Sequence, residues 1–249
     1  MRDGPGLAPS REPDTQWAAR RVDARQPRWG VTVVGHDREG LPSISAALEA
    51  GSAVLLPFPA PLPYAVAARS PRTVNELKGR PSLQPVGVAL ADISIVSDFV
   101  GLDDETLDFA RWVSADQLCN VMLPVAGAIP SWVRAATSGG LLAVTLAWLP
   151  QLRDVLGDGG HLFVSSANLT GGRVATNVFD ADRGFGGSAL ALDGDAWRDQ
   201  GLRAGSATIL RLGPGLKVEI VREGINDQLF GGRPDSFVDA LVKRWAGRA

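Results

Sequence analysis

A single cysteine in 249 residues, Cys119, excludes an internal disulfide framework and a cysteine-rich zinc site. It stands among apolar neighbours, where a small core residue is expected rather than a nucleophile. The two histidines, His36 and His161, have no group of His, Asp and Glu at ligand spacing around them, so a metal centre is not expected there. No apolar run reaches the ~18 residues of a membrane span and no signal peptide opens the chain, which sets the expectation of a soluble cytoplasmic protein. In that setting the sequon Asn168-Leu169-Thr170 has no use. Charge of one sign is also lacking: a formal net charge of -2 gives no general pull toward nucleic acid or anionic membrane. Binding of either kind needs a local patch. No internal repeat of about 20–50 residues is visible.

What is present is an ordinary globular composition, 45% hydrophobic and 21% charged, in a chain long enough for one large domain. Residues 1–28 are rich in Arg, Asp, Pro and Gly and read as a disordered tail. Residues 29–226 read as the main domain. Residues 227–249 carry a closing amphipathic helix, opened by Asp235 or Ser236, with Phe237, Leu241, Val242 and Trp245 toward the core. A strand over Val31–Val34, a helix over Ile44–Ala50 capped by Ser43 and stopped by Gly51, and a strand over Ala53–Leu56 alternate in the manner of a mixed or parallel sheet with helices packed on it. Further strands are expected near Val86–Leu90, Asn120–Leu123, Leu141–Leu146, Leu190–Leu192, Thr208–Leu212 and Val218–Val221. Asp103 or Asp104 can cap a helix through Trp112, and Pro150–Leu156 reads as a short helix stopped by Gly157.

Three stretches invite chemistry. In Leu162–Gly172, LFVSSANLTGG, a short β-prone run breaks into Ser165, Ser166 and Asn168, which is either an ordinary turn or a set of hydroxyls and an amide held on a rigid strand end. Pro57–Pro63, PFPAPLP, has four prolines in seven residues and reads as a stiff loop, because proline fixes φ and removes a backbone donor. Ser70-Pro71 opens a helix that ends in Lys78-Gly79-Arg80-Pro81; those cations serve either to cap a helix C-terminus or to clamp an anion.

The pairing of KGRP with a downstream SSAN resembles the YrdC-like family of L-threonylcarbamoyl-AMP synthases, whose Lys-x-Arg pair and Ser-x-Asn line a concave nucleotide site. Gly51–Pro57, Tyr64-Ala65-Val66-Ala67, the strand Gly205–Leu210 and Val221-Arg222-Glu223-Gly224 are similar to further family segments in the same order, so the resemblance covers roughly Val31–Ile225. It implies an α+β fold of α/β-like character: a twisted open mixed sheet with helices packed on it. It also implies condensation of L-threonine, bicarbonate and ATP to threonylcarbamoyl-AMP and pyrophosphate, for tRNA modification. Carried over by position, Lys78 and Arg80 would hold the ATP phosphates, Ser166 and Asn168 the nucleotide and carbamate, and Arg222 the triphosphate. Tyr64 and Ser206 complete the implied set, and Mg2+ would accompany the ATP. A degenerate relative that binds nucleotide, tRNA or double-stranded RNA, and a carbamoyl-adenylate enzyme for another acceptor, are the alternatives.

The departures from the family pattern cluster at the amino-acid end. Phe58, Ala60 and the prolines replace a threonine-bearing loop, with two extra residues. Val113, Ser114 and Ala115 replace a Pro-Gly-Pro turn, Thr145 stands where an arginine is expected, and Ala207 takes the serine position beside Ser206.

Overall fold

The computed structural model describes residues 33–35, 39–157, 159–169, 172–199, 201–231 and 233–248. The expectations for residues 1–28, for Val31 and Thr32 and for His36, and the sequon's Thr170, lie outside them. In chain order the regular elements begin with β1 (Val33–Val34), α1 (Gly40–Glu49), β2 (Val54–Leu56), β3 (Ala65–Ala68), α2 (Pro71–Leu77) and β4 (Gly87–Leu90). A 3-10 segment (Ile93–Phe99), α3 (Asp104–Ala115), β5 (Asn120–Pro124), α4 (Ser131–Ala135), β6 (Thr137–Ser138) and β7 (Leu141–Thr145) follow. After a second 3-10 segment (Pro150–Leu156) come β8 (His161–Ser166), α5 (Val178–Gly184), β9 (Leu190–Leu192), β10 (Ile209–Gly213), β11 (Lys217–Arg222), α6 (Ile225–Leu229) and α7 (Pro234–Ala246).

The strands form one mixed sheet in the order β1-β9-β2-β3-β8-β4-β7-β5-β10-β11, with β6 on β7. The pairs β1/β9, β2/β9, β4/β7 and β5/β10 are parallel, and β2/β3, β3/β8, β4/β8, β5/β7 and β10/β11 antiparallel. Strand residues alternate between two hydrophobic clusters. Val66, Val88, Val121 and Val144 join Val74 of α2, Phe109 of α3 and Phe237 of α7. Ala65, Ala67, Ala89 and Val164 join Ile44 and Leu48 of α1 and Leu152 of the second 3-10 segment. The first face is therefore covered along much of its length, while the second is covered by fewer elements and leaves room for a cavity.

Several helix boundaries differ from the sequence expectation. Helix α1 starts at Gly40, not Ile44, because Pro42 falls in the first turn, where a backbone N–H has no helical partner to lose; the Ser43 hydroxyl donates to the Glu39 carbonyl (2.8 Å) instead of capping. Helix α3 runs on to Ala115, since Ser114 and Ala115 do not break it as Pro-Gly-Pro would. The Ser114 hydroxyl accepts the Leu146 N–H at 2.8 Å, a buried bond that ties the end of α3 to the chain leaving β7. The N-cap of α3 is Asp103, whose carboxylate accepts the Thr106 N–H and hydroxyl (both 2.8 Å) and the Gly215 N–H (2.9 Å) in the β10/β11 turn. Helix α7 opens one residue before Asp235, and the rings of Trp112 and Trp245, 5.7 Å apart, join it to α3.

Candidate nucleotide site

A cavity of about 360 Å³ opens on the less covered face. Its floor crosses the sheet from Ala65 on β3 through Val164, Gly87, Thr145 and Asn120 to Ile209 on β10. Phe58, Leu62 and Pro63 of the proline-rich loop supply a wall, and Arg80, Ser165, Ser166, Ser206 and Arg222 supply the polar lining. Among the described residues no carboxylate lines it. Two guanidinium groups beside hydroxyls, with no acid among them, make a cavity suited to anionic ligands.

The chain brings these groups together through the ends of β8 and α2. After Ser166 the backbone turns, with the Ala167 N–H on the Tyr64 carbonyl (2.7 Å) and the Asn168 N–H on the Ser166 carbonyl (2.8 Å). The Ser166 hydroxyl donates to Asn168 Oδ1 at 2.6 Å, and the Asn168 amide donates to the Gly172 carbonyl at 2.8 Å. Lys78, at the C-cap of α2, is 2% exposed and donates its amine to the carbonyls of both Ser166 and Asn168. Burial, reinforced by the charge of Arg80, pulls its pKa down to about 7. A neutral amine still has two N–H groups for those two carbonyls, so the tie does not depend on its charge. Gly79 takes φ +63, a conformation that costs other residues strain, and this reversal delivers Arg80 to the cavity. Lys78 and Asn168 thus lie behind the lining that Arg80 and Ser166 present.

Tyr64 does not line the cavity. It is fully buried; its hydroxyl donates to Asp195 (2.8 Å) and accepts the Gly194 N–H (3.2 Å). Burial, then the bond to Asp195, holds the phenol protonated well above its ordinary range. Arg198 stacks on the same ring, 5.0 Å from its centroid. Its guanidinium donates to the carbonyls of Phe58 (2.8 Å), Thr176 (2.6 Å) and Leu62. The proline-rich loop, short of its own donors, is therefore held by an arginine from another part of the chain.

At the opposite rim Arg222 ends β11 and donates to the Ala207 carbonyl at 2.9 Å. Gly224 follows because the chain passes against the start of β10: a Cβ there would lie 2.4 Å from the Ser206 carbonyl oxygen and the Thr208 nitrogen. Asp227 closes this turn, accepting the Gly224 N–H (2.7 Å) and the Thr208 hydroxyl (2.6 Å).

The profile of the Sua5, YciO and YrdC family, described as "Telomere recombination", matches residues 62–224. The chain belongs to this family. Among solved structures, "P. abyssi Sua5 complexed with L-threonine" is 17% identical with a TM-score of 0.59, covering 81% of this chain and 61% of that one. Full-length HypF "in the phosphate- and nucleotide-bound form" is 14% identical with a TM-score of 0.58, covering 75% and 29%. E. coli YciO is 13% identical with a TM-score of 0.57, covering 78% and 95%. The chain thus spans about three fifths of the P. abyssi Sua5 structure, and these likenesses establish the shared fold. No curated protein matches in sequence.

Within this Sua5/YciO/YrdC fold, the departures at Phe58, Pro63, Thr145 and Ala207 fall on the cavity itself, and those at Val113, Ser114 and Ala115 do not. Thr145, 4% exposed, lies in the floor where the family pattern has an arginine, and its hydroxyl accepts the Ala147 N–H at 3.3 Å. Ala207 lines the cavity beside Ser206. Sequence reasoning misses Asn120, Arg198 and the stack of Phe58 on Trp148 (centroids 5.3 Å apart, 29° between planes). Phe58 and the prolines announce an unusual loop, whereas nothing local marks Arg198 as its anchor.

Proposed function

We propose that this cavity binds ATP and runs the carbamoyl-adenylation of the Sua5/YciO/YrdC family, joining an amine, bicarbonate and ATP. L-threonine is the reference acceptor and tRNA threonylcarbamoyladenosine the reference destination. The observation that carries the reading is the convergence of Arg80 and Arg222 on a cavity lined by hydroxyls and, among the described residues, no carboxylate. A protonated amine and bicarbonate lose water and one proton to give a carbamate. A carbamate oxygen then attacks the α-phosphorus of ATP, the bond to the bridging β-phosphate oxygen breaks, and pyrophosphate leaves with the electron pair. Such a reaction needs positioning and fixed positive charge on the leaving group more than a general base. Arg80 and Arg222 supply the charge, and the Lys78-braced Ser166 hydroxyl supplies a positioned polar contact.

Magnesium belongs to this reading as a companion of the triphosphate. Among the described residues no group of three or more His, Cys, Asp or Glu could hold a metal ion, so these residues offer no resident metal site and no step is routed through one. The test is pyrophosphate release from ATP with and without bicarbonate. Release that needs bicarbonate, and that falls at least tenfold in Arg80→Ala and Arg222→Ala variants of unchanged melting temperature, supports the proposal. Release independent of bicarbonate, or variants as active as the wild type, contradicts it.

A further inference from the structure

The wall that the proline-rich loop turns to the cavity has no polar side chain and few backbone groups to offer. Pro57, Pro59, Pro61 and Pro63 have no N–H. The carbonyls of Phe58 and Leu62 are taken by Arg198, that of Pro59 by the Leu62 N–H (2.9 Å), and that of Pro61 by the Gly205 N–H (3.1 Å). The loop residues that line the cavity, Phe58 (4% exposed), Leu62 (3%) and Pro63, carry hydrocarbon side chains only, as do Ala65 and Ala207 beside them. These join one hydrophobic cluster, with Pro63 the exception, and Phe58 is backed by the stacked Trp148, whose indole N–H is taken by the Leu90 carbonyl (3.0 Å). The wall is also fixed. Arg198 grips the loop at both Phe58 and Leu62, and the guanidinium itself rests on Tyr64, which Asp195 and Gly194 hold. A loop tied in this way cannot readily rotate a carbonyl toward a ligand hydroxyl.

We infer that the amine substrate of this site carries an apolar side chain, of the valine, leucine or phenylalanine class, which packs against Phe58, Leu62 and Ala207. The inference rests on the adenylation reading for the identity of the site, and on the wall alone for the class of side chain. A hydroxyl buried there would surrender its bonds to water and find few partners on the loop, whose Phe58, Pro59, Pro61 and Leu62 carbonyls are already taken, whereas a methyl group in its place loses nothing. Arg198 acts as the positioning residue of this wall, and Phe58 and Leu62 as the residues that set specificity.

L-valine and L-threonine, which differ by one methyl for one hydroxyl, test the inference directly. In bicarbonate-dependent pyrophosphate release the wild-type protein is expected to favour valine over threonine in kcat/KM by about 10- to 100-fold, the range open to an apolar pocket facing an added hydroxyl. Leu62→Thr is expected to narrow that ratio at least fivefold, and Arg198→Lys to raise KM for valine with less effect on kcat. Equilibrium binding of the same two amino acids, read by calorimetry on the wild-type protein, reports the wall without turnover. Tighter valine binding with no pyrophosphate release sustains the inference and sinks the adenylation reading. Threonine bound or turned over as well as valine, or no binding of either, overturns it.

Discussion

Lys78 and Ser166 stand 88 residues apart in sequence and are joined by a hydrogen bond from the lysine amine to the serine carbonyl. The same amine reaches the Asn168 carbonyl, so the lysine of the Lys-x-Arg pair braces the Ser-x-Asn turn from behind while Arg80 faces the cavity.

Lys78→Met therefore leaves the Asn168 carbonyl without its amine donor, while the Ser166 carbonyl keeps the Asn168 N–H, and is expected to lower stability by about 1–3 kcal/mol, the cost of one buried group left unpaired. Arg80→Ala is expected to lower the urea midpoint less than Lys78→Met does and to weaken ATP binding at least tenfold. Equal losses of stability in the two variants would remove the distinction between brace and clamp. A pH dependence follows as well. Between about pH 7 and the ordinary lysine value the unfolded chain holds a proton that the folded chain lacks, so the contribution of Lys78 to stability rises with pH across that window. The stability advantage of the wild type over Lys78→Met should grow from neutral to alkaline pH; a constant difference contradicts the burial argument.

Arg198→Lys removes the fork that grips Phe58 and Leu62 and replaces it with a single ammonium. The Leu62 and Tyr64 amides, bonded to Pro59 and Ala175, should exchange hydrogen at least tenfold faster in this variant, while amides of β5 and β7 keep their protection. Unchanged exchange at Leu62 and Tyr64 would show that the loop holds its shape without the arginine.

Much of this arrangement is legible in the sequence wherever the signal is local. Four prolines in Pro57–Pro63 announce a stiff loop, Ser70-Pro71 announces α2, and the apolar runs announce strands that the sheet contains within a residue or two. Lys78, Arg80, Ser166 and Asn168 are legible as a set only through resemblance, and the division of labour between Lys78 and Arg80 is not, because it depends on which side of a turn each side chain leaves. The resemblance puts Tyr64 in the pocket; its phenol is instead directed to Asp195, a contact 131 residues away that no periodicity encodes. Arg198 is invisible for the same reason. The start of α1 lies before the Ser43 cap expected from sequence, because Pro42 in a first turn removes no hydrogen bond.

The cap of α3 carries an acid-sensitive contact. The Gly215 N–H first, then the Thr106 N–H and hydroxyl, hold the Asp103 carboxylate down to about 2. Between that value and the ordinary carboxylate range the unfolded chain binds more protons than the folded one, so this contribution is present above about pH 4 and is lost as pH falls toward 2. The difference in thermal midpoint between the wild type and Asp103→Asn should shrink as pH is lowered from about 4 to 2. A difference that does not change with pH would mean that the carboxylate's charge plays no part in the cap.

Gly87 lies in the cavity floor, and a Cβ there would meet the Val164 and Ala143 carbonyl oxygens at 3.4 and 3.9 Å, near ordinary contact. Gly87→Ala should fold with stability within about 1 kcal/mol of the wild type. Gly87→Val should fill cavity volume and weaken ATP binding more than Gly87→Ala does. Equal ATP affinity in wild type and Gly87→Val, measured by calorimetry, would place the nucleotide elsewhere.

The central claim is that bicarbonate carbon, amine and AMP are joined in this cavity. Incubating the protein with ATP, 13C-bicarbonate and amino acids one at a time, and reading the products by mass spectrometry, tests it most directly. The account predicts an adenylate carrying the 13C label and the amino acid, formed by the wild type and absent with Arg80→Ala. An unlabelled product, or no adenylate from a protein that binds both ATP and amino acid, contradicts it.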